Sequence, residues 1–186
     1  MVDLIDQASS SFLVIDAQEK LMPAIDGAEN ISGNIEKLLQ AAVHFTVPII
    51  MMEQYPDGLG PTVAPLKLAA NGKAEVISKT SFSCAHHKEF SEKAQLLKTQ
   101  GRGQFIVTGA EAHVCVLQSA LELQQQGYDV FVVVDGIGSR ALLSHEVACQ
   151  RMLAAGITMV TTEMVLYEWI GRSDCAAFKA LRSLLV

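Results

Sequence analysis

The chain has 186 residues, 50% of them hydrophobic and 18% charged, with 20 acidic side chains against 14 basic ones. A chain of that length buries roughly 70% of the surface its unfolded form exposes, so a full core in one domain, residues 1–186, is expected. Disorder, collagen and disulfide-stapled mini-proteins are excluded. A net charge of -6 and a pI near 5.3 argue against nucleic-acid or anionic-membrane partners, since both call for clustered Lys and Arg; a small-molecule ligand is expected instead.

The mean hydropathy is +0.29, yet apolar runs such as Val47 to Met52 and Val130 to Val134 are short. Neither approaches the roughly 20 residues that cross a bilayer. Met1 to Asp6 carries two aspartates and no basic segment, unlike a signal or transit peptide. Cys84, Cys115, Cys149 and Cys175 are widely and irregularly spaced without a Cys-x-x-Cys pair. That usage suits reduced thiols and a cytoplasmic protein.

Short β-rich runs alternate with amphipathic helical segments. The first strand is expected at Phe12 to Asp16, followed by a helix from about Asn30 to His44 whose Ile31, Ile35, Leu38, Leu39, Ala42 and Val43 form one apolar stripe. Val47 to Glu53 reads as the second strand. Gln54 to Ala74 holds three of the five prolines and three glycines and reads as a long, partly irregular excursion. Glu75 to Lys79 is a short extended segment, and Lys88 to Thr99 a polar helix stopped by Gly101. A strand at Gln104 to Gly109 is followed by a helix from Val114 to Gln126 with Gly127 as its cap. Asp129 to Asp135 is nearly all apolar, as expected of a strand covered on both faces. Ser144 is expected to cap a helix ending near Ala155; Ile157 to Thr161 is the last strand, and helices at about Glu163 to Ile170 and Asp174 to Leu184 finish the chain.

This alternation predicts an α/β fold with a mostly parallel sheet and helices on both faces, in three layers. Such sheets bind ligands at the carboxyl ends of their strands. That directs attention to Asp16, Glu53 to Tyr55, Lys79, Ala110 to Cys115 and Asp135 to Arg140.

Cys115 lies a few residues past a strand at an expected helix start, where the helix dipole favours the thiolate. Asp16 ends an apolar strand, where a carboxylate is costly without a partner or a task, and Lys79 follows a short strand. The plain alternatives are a structural thiol, a turn-forming carboxylate and a surface lysine. Periodicity alone does not bring the three together. Gln18, Tyr55 and Phe82 sit close in sequence to these strand ends and are candidate substrate-binding residues; aromatic core packing is the alternative for Tyr55 and Phe82.

Phe12-Leu-Val-Ile-Asp16-Ala-Gln18, Lys79-Thr-Ser-Phe82, Gly109-x5-Cys115-Val116 and Asp135-x3-Ser139-Arg140 occur in that order. Over about residues 10 to 170 the chain resembles the isochorismatase-like cysteine hydrolase superfamily, which includes nicotinamidases and N-carbamoylsarcosine amidohydrolase. Gly109 to Cys115 matches the Gly-x-Glu-Ala-x-x-Cys segment of isochorismatase domain-containing proteins. The resemblance implies a Rossmann-like six-stranded sheet of order 3-2-1-4-5-6 and a catalytic triad of Asp16, Lys79 and Cys115. It further implies a cis peptide between Ala110 and Glu111, with the N–H groups of Glu111 and Cys115 as the oxyanion hole.

Nicotinamidases of this superfamily carry an Asp-x-His pair and a further His after the second strand, which bind a metal. Here that region reads Glu53-Gln54-Tyr55-Pro56-Asp57, with no histidine before His86, so no metal and no cofactor are expected. Cys84, His86 and His87 are crowded and lack a structural-zinc spacing, and His113 reads as a loop or pocket-wall residue. No Gly-x-Gly-x-x-Gly turn follows the first strand, which argues against NAD. The leading expectation is a cofactor-independent hydrolase of a small amide or related carbonyl compound. The alternatives are vinyl-ether hydrolysis of the isochorismatase type and a thiol redox sensor or binding protein. A homo-oligomer is also expected, with Trp169, Leu166 and Ile170 as one candidate contact and intramolecular packing as its alternative.

Overall fold

A computed structural model describes residues 4–185. Six parallel strands form one sheet of order β3-β2-β1-β4-β5-β6. They are β1 (Ser10–Ile15), β2 (Ile49–Gln54), β3 (Ala74–Lys79), β4 (Gln104–Ala110), β5 (Asp129–Gly138) and β6 (Thr158–Val160). The helices are α1 (Ala28–Phe45), α2 (Pro56–Leu59), α3 (Ala64–Ala69), α4 (Lys88–Thr99), α5 (Leu117–Gln125), α6 (Leu142–Ala154), α7 (Thr162–Ile170) and α8 (Ala176–Leu181).

The central strands show why the order holds. Every residue of β1 and of β4 is buried, the signature of parallel strands covered on both faces. Side chains alternate across the sheet: Phe12 and Val14 join a core containing Ile35, Leu38 and Leu39 of α1, whereas Leu13 and Ile15 join one containing Phe90, Leu97, Val116 and Leu123. Both layers therefore grip the same strand. The apolar stripe expected on the first helix is the buried face of α1, and Ile35, Leu38 and Leu39 have no exposed surface. Each such side chain contributes about 1.5–3 kcal/mol by leaving water. Among the described residues no helix is long and apolar enough to cross a membrane.

The excursion after β2 is partly irregular, as expected, and its ordered parts are the short helices α2 and α3. Several local expectations change. Ser144 does not cap α6; that helix starts at Leu142 after Ala141, without a side-chain cap, and Ser144 lies in its first turn. The segment before α5 is a π-helical turn, Ala112–Val116, not the start of an α-helix. α8 begins after Cys175, whose sulfur accepts a hydrogen bond from the Phe178 N–H.

Trp169 is corrected as a contact for a second copy. It is buried, its indole N–H donates to Ser10 Oγ at 3.0 Å, and its ring meets Phe12 and Phe45 edge-on. A large amphipathic ring with one polar atom has both needs met inside the chain. Leu166 and Ile170 are buried with it.

Candidate functional site

The chain runs outward through β1, β2 and β3, then returns to place β4 on the other side of β1. The order reverses between β1 and β4, the usual location of a ligand crevice in such sheets. Two backbone features shape it. Asp16, one residue past β1, has φ 50°, a left-handed conformation that Asp tolerates better than most residues. Beside it, Gly109 has φ +112°, and a Cβ there would lie 1.9 Å from the carbonyl oxygen of Ile15. Only glycine lets the ends of β1 and β4 approach so closely. The chain continues through a cis peptide between Ala110 and Glu111 into the turn that carries Cys115.

Lys79 ends β3 and is separated from β1 by β2, a gap of roughly 10 Å for two strand spacings. Its extended side chain crosses the end of β2 to put Nζ 2.7 Å from Asp16 Oδ2 and 2.7 Å from Gln54 Oε1. Both charged side chains have no exposed surface. No nitrogen or oxygen donor among the described residues reaches the other carboxylate oxygen, Oδ1. The Cys115 thiol is close enough to feel the charges of both Asp16 and Lys79. Thus the three residues singled out at separate strand ends meet in one buried cluster.

Burial sets the protonation of this cluster. It pushes the Asp16 carboxyl above its ordinary value, against the opposing pull of Lys79. The Cys115 thiol is pushed up to about 12, first by burial and then by the Asp16 charge, with Lys79 opposing. The expectation of a thiolate favoured by a helix dipole is therefore corrected. The sulfur sits in a π-helical turn and 6% exposed, where desolvation of the charged form outweighs the dipole. Burial thus favours the protonated form of both the thiol and the carboxyl group.

Gln18 is also corrected. It has no exposed surface, and its amide is spent on the backbone: Oε1 accepts from Gln54 N–H at 2.7 Å, while Nε2 donates to Gln54 O at 2.9 Å and Gly60 O at 2.6 Å. It ties the loops after β1 and β2 together and has no polar atom left for a substrate. Nearby, buried Glu53 accepts from both the N–H and the hydroxyl of Thr62. Tyr55 and Phe82 are each 56% exposed, on the loops after β2 and β3. They are therefore not core residues. The Tyr55 N–H donates to Lys79 O at 2.8 Å, and its ring packs so closely on Gly58 that a Cβ there would lie 2.4 Å from the ring.

Across the crevice, Glu111 is buried and its Oε2 accepts from both the backbone N–H and the Nε of Arg140. His113 Nδ1 lies 2.9 Å from Ser139 Oγ. His113 also lines a groove of about 350 Å³ with Leu117, Leu143, Val147 and Arg151, matching its reading as a wall residue. Cys84, read as part of a loop, is a buried thiol whose N–H donates to Ser119 Oγ at 3.0 Å. Burial pushes this thiol up to about 12 as well, and it feels both Lys79 and Asp16. Gln54 fell within the strand-end segment singled out from sequence but received no role there. Its signal was adjacency: Gln54 and Lys79 are register partners at the ends of neighbouring parallel strands. Among the described residues no group of three or more His, Cys, Asp or Glu side chains is arranged to hold a metal ion.

Known proteins share this architecture. Over 178 residues the chain is 34% identical to isochorismatase domain-containing protein 1 of Salmo salar, covering 96% of this chain but only 61% of that protein. The structure of MAR1 ribonuclease from Caenorhabditis elegans superposes with a TM-score of 0.91 at 33% identity, covering 98% of this chain and 92% of the other. The YcaC gene product of Escherichia coli, described as an octameric hydrolase of unknown specificity, gives a TM-score of 0.88 at 26% identity, covering 98% and 91%. The isochorismatase domain family matches residues 10–164, the stretch that supplies Asp16, Lys79 and Cys115 and every strand of the sheet, and the chain belongs to that family.

Proposed function

We propose that the protein is a cofactor-independent hydrolase that cleaves a small amide or related carbonyl compound through a thioester on Cys115. The observation that carries this reading is the fully buried Asp16–Lys79 pair at 2.7 Å, with the Cys115 thiol near enough to feel both charges. Moving the thiol proton to Asp16 converts carboxylate and thiol into carboxylic acid and thiolate beside the same ammonium. The net charge of the cluster does not change, so the transfer asks the buried site to hold no additional charge. A carboxyl raised by burial is also a better base than an ordinary carboxylate.

In the first half-reaction the sulfur forms a bond to the carbonyl carbon as its proton passes to Asp16, and the carbonyl π electrons move onto oxygen. The N–H groups of Glu111 and Cys115 are assigned to that oxyanion. Collapse breaks the carbon–nitrogen bond, and the leaving amine takes the proton from Asp16. In the second half-reaction water adds to the thioester while Asp16 accepts its proton. Collapse then expels the sulfur, which recovers the proton, and releases the carboxylic acid. Tyr55 and Phe82 are assigned to the apolar part of the substrate.

Turnover of a panel of small amides by wild type and Cys115→Ala, with intact mass spectrometry of the protein during turnover, tests this. The wild type should show an acyl adduct and the variant should lose at least about three orders of magnitude in rate; undiminished turnover by Cys115→Ala would overturn covalent catalysis. Ribonuclease action is a description of the nematode relative. A net charge of -6 does not favour a polyanion here. We also propose that copies of this chain associate, by analogy with the octameric Escherichia coli protein. Leu142, Leu143, Val147 and Leu153 leave an exposed apolar face on α6 that association would cover. A monomer by light scattering at micromolar concentration would overturn that assignment.

A further inference from the structure

Lys79 carries three N–H donors. One donates to Asp16 Oδ2 and one to Gln54 Oε1, each at 2.7 Å, which leaves one N–H free, and the Cys115 thiol is close enough to feel the ammonium's charge. The Gln54 amide has only one useful orientation. Its Nε2 donates to Thr80 O at 2.9 Å; a flipped amide would point NH2 at the ammonium and oxygen at the carbonyl of Thr80. The backbone of Gln54 is held as firmly, because Gln18 bonds to both its N–H and its C=O. Gln54 therefore presents a fixed acceptor to a long flexible side chain that would otherwise have several ways to reach Asp16.

We infer that Gln54 is a positioning residue for Lys79: its side-chain carbonyl holds the ammonium at the end of β2, so that one N–H is left facing the thiol of Cys115. This rests on the reading of Asp16, Lys79 and Cys115 given above. It assigns to Gln54 the selection of one lysine geometry, and to Gln18 the support of Gln54. Without the Gln54 oxygen, the ammonium turns its free donor to whatever acceptor is nearest, and its stabilisation of the thiolate weakens.

The test reads the thiol directly and needs no substrate. Cleavage after Arg and Lys yields a peptide from Gly103 to Arg140 in which Cys115 is the sole cysteine, so its alkylation by iodoacetamide can be followed by mass spectrometry in the intact chain. In the pH range where the rate is limited by the thiolate fraction, Gln54→Met should slow Cys115 alkylation about tenfold, the loss of one hydrogen bond to a charged group. Gln54→Glu keeps an acceptor at the same reach but adds a negative charge, and should slow it further.

A residue that merely anchored the loop through Thr80 would lower the melting temperature in both variants without changing the alkylation rate. Wild-type alkylation by a folded Gln54→Met protein overturns the inference, and where that variant does not fold, wild-type alkylation by Gln54→Glu does the same. Lys79→Met is the internal control. If it slows Cys115 while the Gln54 variants do not, the cluster stands and the role of Gln54 falls; if it leaves the rate unchanged, the reading of the cluster itself falls. Turnover by Cys115→Ala tests the hydrolase reading separately.

Discussion

Replacing Lys79 by Met removes the ammonium but keeps most of the apolar stem, so the perturbation is largely one of charge. Both partners of the pair have no exposed surface and lie 2.7 Å apart. At an effective dielectric constant of about 20, that separation corresponds to roughly 6 kcal/mol of gross attraction, which the desolvation of two ions largely offsets. Deleting one partner removes the attraction and leaves the other ion's desolvation in place, at a typical cost of about 3–5 kcal/mol. Asp16 limits the loss by taking a proton, since the Lys79 charge is the strongest influence holding its carboxyl down.

The pH dependence follows from the direction of that shift. The Asp16 carboxyl is raised above its ordinary 3.8 in the folded protein, so the folded state holds the proton to higher pH than the unfolded chain. Its contribution to stability is fully present below 3.8 and is lost as pH rises through the folded value. Lys79→Met raises that folded value further, and acidification from neutral pH should therefore narrow its deficit against wild type. Urea unfolding midpoints at neutral and mildly acidic pH, with m-values compared, read both effects. The double variant Asp16→Asn/Lys79→Met should recover much of the loss, because no charge is left buried. A deficit under about 1 kcal/mol for Lys79→Met at neutral pH, or one that widens on acidification, would refute the account of a dry ion pair.

Two further substitutions separate site from scaffold. Phe82→Ala should change stability by no more than about 0.5 kcal/mol, since the ring is exposed, yet raise KM severalfold on any amide the protein cleaves; unchanged kinetics would remove Phe82 from the binding surface. Gly109→Ala combines a Cβ 1.9 Å from a backbone oxygen with φ +112° between two central strands, and should cost at least about 4 kcal/mol or abolish folding. Thermal unfolding of that variant within a few degrees of wild type would show that β1 and β4 can separate more easily than their packing implies.

The layered fold was legible because burial on both faces leaves a direct mark: Phe12 to Ile15, Ile106 and Val107, and Val130 to Val133 are apolar without interruption. Chain order then brought strand ends to attention, among them Asp16, Lys79 and Cys115. What spacing does not convey is the rotation of a loop about a single residue. By spacing Gln18, two residues past Asp16, belongs with the substrate-binding candidates, but the left-handed Asp16 lets the following chain fold inward, and the Gln18 amide closes on Gln54 and Gly60. Trp169 was ambiguous for a similar reason. A large apolar side chain on a short helix meets either a partner copy or its own core, and only the positions of Ser10, Phe12 and Phe45 decide between them.

The charge state of the site was the least legible feature, because it depends on how much water three side chains lose together. A helix dipole contributes at most about 2 kcal/mol to a nearby ion, and burial with an adjacent carboxylate outweighs it at Cys115. In a wetter site Asp16 would be an ordinary weak base and Lys79 an ordinary surface cation. Deprived of solvent, the carboxyl is raised towards the proton affinity needed to accept from sulfur, while the ammonium keeps a negative charge tolerable on either partner. Desolvation thus disfavours the isolated thiolate and at the same time strengthens the base beside it. The chemistry proposed for this cluster depends on moving one proton inside a neutral set of three side chains, rather than on maintaining a permanently reactive thiolate.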